Sequence, residues 1–171
     1  MANQVFTGRY TVDKGQDVVV FLIGMRINQW WAVHKWLPVF LAMPGMIREL
    51  SINKQLGCLS MENFFSIRTT LLVQYWRSSE DLRQYAHGKA HLKARKNFNQ
   101  KIGNNRAVGI YHETYVLSSS HYESLYGNMP AFGLGKALGH IKVTPQADSF
   151  NKRLHGKHIE KMNEHLKKPG S

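Results

Sequence analysis

The chain has 171 residues, of which 43% are hydrophobic and 20% charged, which excludes a disordered chain and suits one domain with its own core. The longest apolar run, residues 18–25, is too short to span a membrane, and no signal-peptide pattern opens the sequence. The single cysteine, Cys58, excludes an internal disulfide framework and a cysteine-based zinc cluster. We therefore expect a cytoplasmic protein without a membrane partner.

The chain is basic, with 23 Lys and Arg against 11 Asp and Glu, and its formal net charge is +12. Such a charge raises the hypothesis of a nucleic acid or another anionic partner. The basic residues are spread along the whole chain and form no arginine-rich block. We therefore do not expect a nucleic-acid partner, and an anionic small ligand stays open.

The first third of the chain predicts an arm, a strand and a helix. Residues 1–16 are polar and indicate an N-terminal arm. Residues 17–27 are β-branched and apolar, as in a strand covered on both faces, and Gly24 within them indicates a bulge or a close approach by another group. Residues 38–54 carry apolar side chains at helical spacing, with Pro38 in the first turn.

The middle of the chain completes a recognisable element order. Residues 58–65 and 69–76 predict two strands, Ser78 with the acids after it predicts a helix start, and that helix continues to Gly103. Residues 107–117 predict a fourth strand. The order β-α-β-β-α-β is the ferredoxin-like arrangement of the α+β class, an antiparallel sheet with helices on one face. The other face needs a cover, and pairing of two sheets in a dimer is a common solution.

The last third predicts a loop and a tail. Residues 118–140 form a long loop that includes YGNMPAFGLG (126–135), as in a lid or a binding loop. Residues 141–171 are polar and basic and contain several histidines. We therefore divide the chain into a domain over residues 1–140 and a C-terminal tail over 141–171.

Histidines supply the candidate chemistry. His87 and His91 stand at i and i+4 on the second helix, a spacing that brings two imidazoles to one metal or one cavity, although most such pairs are ordinary surface or core residues. His112 and Glu113 are neighbours in a strand, so they face opposite sides of the sheet. Glu113 is a structural ion-pair member, for example with Arg26, or it is a base or proton relay.

A second set of side chains could hold a ligand. Arg26 ends the first apolar strand, where it either reaches solvent along its stem or binds a carboxylate, a phosphate or a haem propionate. Asn28 lies on the same strand parity. The aromatic residues are mostly core, yet some could line a flat pocket. The candidate ligand-binding residues are Arg26, Asn28, Tyr75, Trp76, His87, Tyr126 and Asn128.

Several segments resemble a known family. They are VVVFLIGMRIN (18–28), WWAVHKWLPVFLAMPGMIREL (30–50), LVQYWRSSEDLRQYAHGKAHLKA (72–94), VGIYHETYVL (108–117) and YGNMPAFGLG (126–135). They resemble a monooxygenase-like family, formerly a domain of unknown function, that includes an antibiotic-biosynthesis-type monooxygenase of the fumagillin pathway. The resemblance spans about residues 8–138. It implies a ferredoxin-like domain that forms a homodimeric α+β barrel.

Barrels of this type include both cofactor-independent and haem enzymes, and the resemblance alone does not choose between them. One hypothesis is a monooxygenase without a cofactor, with a pocket between helices and sheet. There His91 or His112 would be the base, with Glu113 as a further catalytic candidate. Arg26 or Asn28 would steady an oxyanion.

The other hypotheses use the same barrel differently. A haem b enzyme, either an oxygenase or an aldoxime-dehydratase-like lyase, would use a histidine as iron ligand, with His91 as the metal-binding candidate. The position at which haem-degrading relatives carry their ligand falls near Arg95, which cannot serve. A third hypothesis is a non-catalytic dimer that binds a small molecule.

Overall fold

The structure, a computed structural model, describes residues 4–88, 92, 96 and 106–155. These residues form two compact units. The described residues between 19 and 116 form the four-stranded unit, and the described residues 4–18 and 117–155 form the three-stranded unit. Within the described ranges, every helix is too short or too polar to cross a membrane.

The elements follow one another as strands and short helices. Short 3-10 turns cover Lys54–Leu56 and Pro145–Ala147. The strands and α-helices are β1 (Phe6–Val12), β2 (Val18–Ile27), α1 (Val33–Ile52), β3 (Cys58–Phe65), β4 (Thr69–Trp76), α2 (Ser79–Ala86), β5 (Val108–Leu117), β6 (Tyr126–Met129), α3 (Gly133–Leu138), β7 (His140–Lys142) and α4 (Phe150–His155).

The four-stranded sheet confirms the predicted element order. Its strands lie in the order β3-β4-β2-β5, and β4 pairs antiparallel with both β2 and β3. The backbone N–H of Asn28 donates to the carbonyl of Ala107, so the end of β2 lies beside the start of β5. This arrangement is the α+β, ferredoxin-like fold that the sequence predicts.

Both helices of this unit pack on the same side of the sheet. Leu50 of α1 and Leu82 of α2 bury their side chains against Trp76, which is fully buried. A second cluster around Met25 and Val108 is covered by aromatic and aliphatic residues of α1 and the turn before it. Burial of a side chain of this size stabilises the fold by about 2 kcal/mol or more.

Helix α1 begins at Val33, so the predicted start at Pro38 is wrong. Pro38 and Pro44 both lie inside the helix, where each removes a backbone donor. Packing outweighs this local cost, because Trp36 and Phe40 cover the core cluster. The indole N–H of Trp36 also donates to the carbonyl of Trp30 at 3.1 Å. The predicted extension of α2 to Gly103 lies mostly outside the described residues.

The three-stranded unit corrects two predictions. The expected N-terminal arm contains β1, and the expected loop over 118–140 contains β6 and α3. The sheet order is β6-β1-β7, and both outer strands are antiparallel to β1. The predicted domain boundary at residue 140 falls at the start of β7, and the division into a domain over 1–140 and a tail over 141–171 stays a prediction.

Candidate functional site

The register of the sheet assigns each strand residue to one of two sides. Directly opposed residues share a side, so Phe21 and Gln74 lie with Trp76 on the side that the helices cover. Val20 and Tyr75 oppose each other on the other side. We call these the helix side and the open side of the four-stranded sheet.

His112 lies on the helix side. Its ring centroid is 5.8 Å from that of Phe21, which packs against the helix-covered core. The side chain is exposed, and its ring nitrogens have no hydrogen-bond partner within the described part of the chain. Val108 at the start of β5 is only 4% exposed, whereas Ile110 is 44% exposed. The structure therefore presents an accessible imidazole beside apolar side chains.

Glu113 lies on the opposite side of β5 from His112. The phenol of Tyr115 donates to its carboxylate at 2.5 Å, and this bond raises the pKa of Tyr115. No ion pair joins Glu113 to Arg26 or Lys35 among the residues described. The observed partner of Glu113 is thus the Tyr115 phenol, where the sequence predicts a cation such as Arg26.

The open side also carries Arg26, which opposes Thr69 and is exposed. A Cβ on Gly109 would lie 3.8 Å from the side-chain amide nitrogen of Asn28. Gly109 lies on the same side of β5 as Tyr111, two residues further along the strand, so Asn28 lies on that side too. Arg26, Asn28, Tyr75 and Glu113 therefore share one side, and His112 lies on the other. A pocket on the helix side therefore cannot include both His112 and the four residues of the open side.

Sequence reasoning placed Tyr111 only among the aromatic residues that could line a flat pocket, although Gly24 gave a signal for its contact with β2. The Tyr111 phenol donates to the carbonyl of Thr70 at 3.2 Å, and burial raises its pKa. A Cβ on Gly24 would lie 2.7 Å from the Tyr111 oxygen and 2.0 Å from the Thr70 carbonyl oxygen. The close approach predicted at Gly24 is therefore confirmed.

The remaining candidates of this unit have structural contacts. The Trp76 indole donates to Gln74 at 3.0 Å and its ring packs against Tyr85, so protein groups already surround it. His87 is exposed at the end of α2, where its Nδ1 lies 2.7 Å from the carbonyl of Arg83. His91 lies outside the described residues, and with it the predicted His87–His91 pair.

Tyr126 and Asn128 belong to the three-stranded unit, whereas His112 belongs to the four-stranded unit. The phenol oxygen of Tyr126 accepts a hydrogen bond from the backbone of Gly135 at 2.9 Å. Asn128 has a positive φ of 52°, and its side chain accepts from the backbone of Gly8 at 2.8 Å. Both side chains therefore hold the fold of their own unit.

Among the described residues, no three His, Cys, Asp or Glu side chains lie close enough together to hold a metal ion. Cys58 is buried, and burial raises the pKa of its thiol to about 11. A thiol that stays protonated near neutral pH is a poor nucleophile. His112 is one of the accessible imidazoles among the described residues, and its ring lies beside that of Phe21.

Comparison with known proteins adds a family. The sequence model of the monooxygenase af470-like family matches residues 18–134. The chain is 31% identical over 142 residues to Monooxygenase af470 of Aspergillus fumigatus, and the alignment covers 77% of this chain and 50% of that protein. The chain thus spans about half the length of the curated relative that it matches.

Solved structures share the fold. A crystal structure of aldoxime dehydratase superimposes with a TM-score of 0.64 and 18% identity, covering 80% of this chain and 43% of the other. The aldoxime dehydratase OxdRE, in complex with butyraldoxime, gives a TM-score of 0.63 and 15% identity, covering 80% and 42%. At these identities the likeness extends to the fold alone.

Proposed function

The chain belongs to the monooxygenase af470-like family, and on that premise we propose that it oxidises a small hydrophobic or conjugated organic substrate. The pocket would lie between the helices and the helix side of the four-stranded sheet. The observation that carries the proposal is the accessible imidazole of His112 beside the ring of Phe21. This places a polar, titratable group next to an apolar surface, as binding sites for organic substrates require.

The reaction that suits this site converts an activated CH₂ group into a carbonyl with molecular oxygen. The substrate supplies four electrons, which reduce both atoms of O₂: one oxygen atom enters the new carbonyl, and the other leaves as water with the two protons of the CH₂ group. A base must first remove a proton from the carbon to give a stabilised carbanion that reduces oxygen. A conjugated substrate stabilises the carbanion by spreading its negative charge. Because the substrate supplies all four electrons, the reaction needs no other electron donor.

His112 is the proposed base. A neutral imidazole has a ring nitrogen that can take the proton from the substrate and later release it. The Phe21 ring would pack against the apolar body of the substrate. Arg26 and Asn28, the expected oxyanion partners, lie on the open side, so in this proposal they do not contact the same substrate.

Haem b is the second candidate cofactor state, and the fold shared with aldoxime dehydratases favours testing it. An exposed imidazole beside apolar side chains is a donor that haem iron accepts. Of the described residues, His112 is the one that would hold the iron. His91, which lies outside the described residues, is the alternative ligand proposed from the sequence. Bound haem would supply the redox or Lewis-acid chemistry of the site.

We further propose that the open side is the homodimer face, and that the dimer is cytoplasmic. This side carries aliphatic residues of β2 and β4, and its aromatic residues Phe64 and Tyr115 are 45% and 48% exposed. Exposed apolar surface of this kind marks an interaction site. Replacing Val73 by Arg should convert the dimer to a monomer in light scattering. Leu41→Arg on exposed α1 is the control and should leave the mass unchanged.

The test of function combines a haemin titration with oxygen uptake. Purified chain should show no stoichiometric Soret band with haemin and should consume oxygen with an electron-rich phenol or polyketide-like substrate. One atom from labelled oxygen should appear in the product. A saturable Soret band without cofactor-free oxygen uptake would overturn the cofactor-independent reading and favour the haem enzyme.

Variants locate the base. His112→Ala should lower turnover by about 10²–10⁴-fold, the range of a lost general base. Added imidazole should restore part of that turnover, because it can occupy the vacated space and take the proton. His34→Ala, an exposed histidine of α1, is the control and should retain activity. Unchanged turnover in His112→Ala would remove His112 from the mechanism.

A further inference from the structure

His140 lies in a ring of aromatic side chains in the three-stranded unit. Its ring centroid is 4.6 Å from that of Tyr126, 5.3 Å from that of Phe6 and 5.8 Å from that of Tyr10. These rings come from β1 and β6, the two strands that with β7 make the sheet. A histidine of a three-residue edge strand is thereby enclosed by the rest of its sheet.

Helix α3 closes this enclosure from one side. A Cβ on Gly135 would lie 2.1 Å from the Nε2 atom of His140 and 3.0 Å from a ring carbon of Tyr126. Only the absence of a side chain at Gly135 lets the imidazole lie against the helix backbone. Tyr126 adds a second tie, because its oxygen accepts a hydrogen bond from the Gly135 N–H.

Both nitrogens of the His140 ring are buried, and neither has a hydrogen-bond partner in the described structure. A neutral imidazole tolerates this arrangement better than an imidazolium, which carries a charge and two N–H donors that water would otherwise solvate. The aromatic faces attract a cation and offset part of that loss. Burial nevertheless lowers the pKa of His140 from its usual 6.5.

The titratable groups around His140 do not supply a counter-charge. The phenols of Tyr10 and Tyr126 face it from β1 and β6, and Lys142 follows two residues later on its own strand. On α3 the contact is made by Gly135, which is followed by the exposed Lys136. No carboxylate contributes to the shift of its pKa. Glu123 acts electrostatically on the neighbouring Tyr126 but not on His140, so protonation would add a cation whose charge no described carboxylate offsets.

We propose that His140 is a pH-sensitive latch, whose neutral ring holds α3 on the three-stranded sheet and whose protonation releases it. A group with a lowered pKa in the folded state stabilises that state above its unfolded value of 6.5. The stabilisation declines as pH falls below 6.5 and toward the folded pKa. Acidification should then open the three-stranded unit, independently of the chemistry proposed at His112.

The test measures His140 and its unit directly in the full-length chain. Titration of the imidazole signals by NMR should give a midpoint below 6.5 for His140. Amide exchange of β1, β6 and β7 should lose protection by up to about tenfold per pH unit as pH falls from 6.5 to that midpoint, the limit for one coupled proton. Exchange of β4 should change less over the same range. A midpoint at or above 6.5, or equal loss of protection in β4, would overturn the latch.

Variants separate titration from packing. His140→Phe keeps an aromatic ring, and His140→Leu is the smaller alternative beside Gly135. Either variant should remove the acid-dependent loss of protection, while His155→Gln, an exposed histidine of the same unit, should retain it. Gly135→Ala should open the unit already at neutral pH, and the double variant Gly135→Ala with His140→Ala should restore it. Persistence of the acid transition in both His140 variants would contradict the proposal.

Discussion

The four-stranded and three-stranded units each place a histidine against aromatic rings, but with opposite access. His112 touches one ring, that of Phe21, and is exposed. His140 touches three rings, and both of its nitrogens are buried. Aromatic neighbours therefore do not by themselves identify a reactive histidine. Solvent access distinguishes the two histidines. The exposed imidazole of His112 can contact a substrate, while the buried imidazole of His140 contacts only the side chains and backbone around it.

The two units should depend on different interactions for their stability. The largest expected loss of stability comes from replacing Trp76 in the four-stranded unit. Trp76→Ala should lower the free energy of unfolding by about 3–5 kcal/mol, because a fully buried indole leaves a cavity among α1, α2 and the sheet. Chemical denaturation measures this. Trp31→Ala, at a residue that is 79% exposed, should stay within about 0.5 kcal/mol. A loss below about 1 kcal/mol for Trp76→Ala would contradict the assigned core.

The three-stranded unit instead depends on a buried ion pair. The Arg153 side chain is 7% exposed, its Nε donates to Glu123 at 3.1 Å, and its Nη1 donates to the carbonyls of Ala147 and Asp148. Arg153→Ala should cost about 2–4 kcal/mol, since it leaves a partly buried carboxylate without its cation. Adding Glu123→Gln should recover part of the loss. Full additivity of the two substitutions would contradict the coupling.

Close backbone approach is the next test. Gly24→Ala should destabilise the four-stranded unit by about 1–3 kcal/mol, because the new methyl group meets the Thr70 carbonyl and the Tyr111 phenol. Gly109→Ala is the matched control on the neighbouring strand, where the new Cβ meets only Asn28 at an ordinary 3.8 Å. Thermal unfolding of both variants should show the larger drop for Gly24→Ala. Equal drops would disprove the close approach.

Helix capping should give the smallest effect. Ser78 is the N-cap residue of α2, and its hydroxyl accepts a hydrogen bond from the backbone N–H of Asp81 at 3.1 Å. Ser78→Ala should lower the free energy of unfolding by about 1 kcal/mol. Ser79→Ala, at the exposed next residue, is the control and should change it by less than about 0.5 kcal/mol. The same loss in both variants would show that the cap contributes nothing.

The sequence predicts the four-stranded unit far better than the three-stranded one. Strands β3 and β4 begin and end where their apolar pattern predicts, because each carries eight residues and pairs with a sequence neighbour. Strands β6 and β7 have four and three residues, too few for a pattern. Their common partner β1 is distant in the chain, as the bond between Gly8 and Asn128, 120 positions apart, illustrates.

The candidate site follows the same division. The alternation of β5 separates His112 from Glu113 in the sequence, but only the contact of His112 with Phe21, together with the register of β2 and β4, assigns each to a side of the sheet. His140 gives no local signal, since its ring partners lie in β1 and β6. Tyr126 and Asn128 belong to a motif that the sequence singles out, yet their hydrogen bonds serve the three-stranded unit.

The central claim is that chemistry takes place on the helix side of the four-stranded sheet. Oxygen uptake by His112→Ala and Glu113→Gln, measured side by side with the same substrate, tests it most directly. These neighbours lie on opposite sides of β5. The account predicts a loss of at least about 10²-fold for His112→Ala and a change within about threefold for Glu113→Gln. The reverse order, with Glu113 essential and His112 dispensable, would place the reaction on the open side and contradict the account.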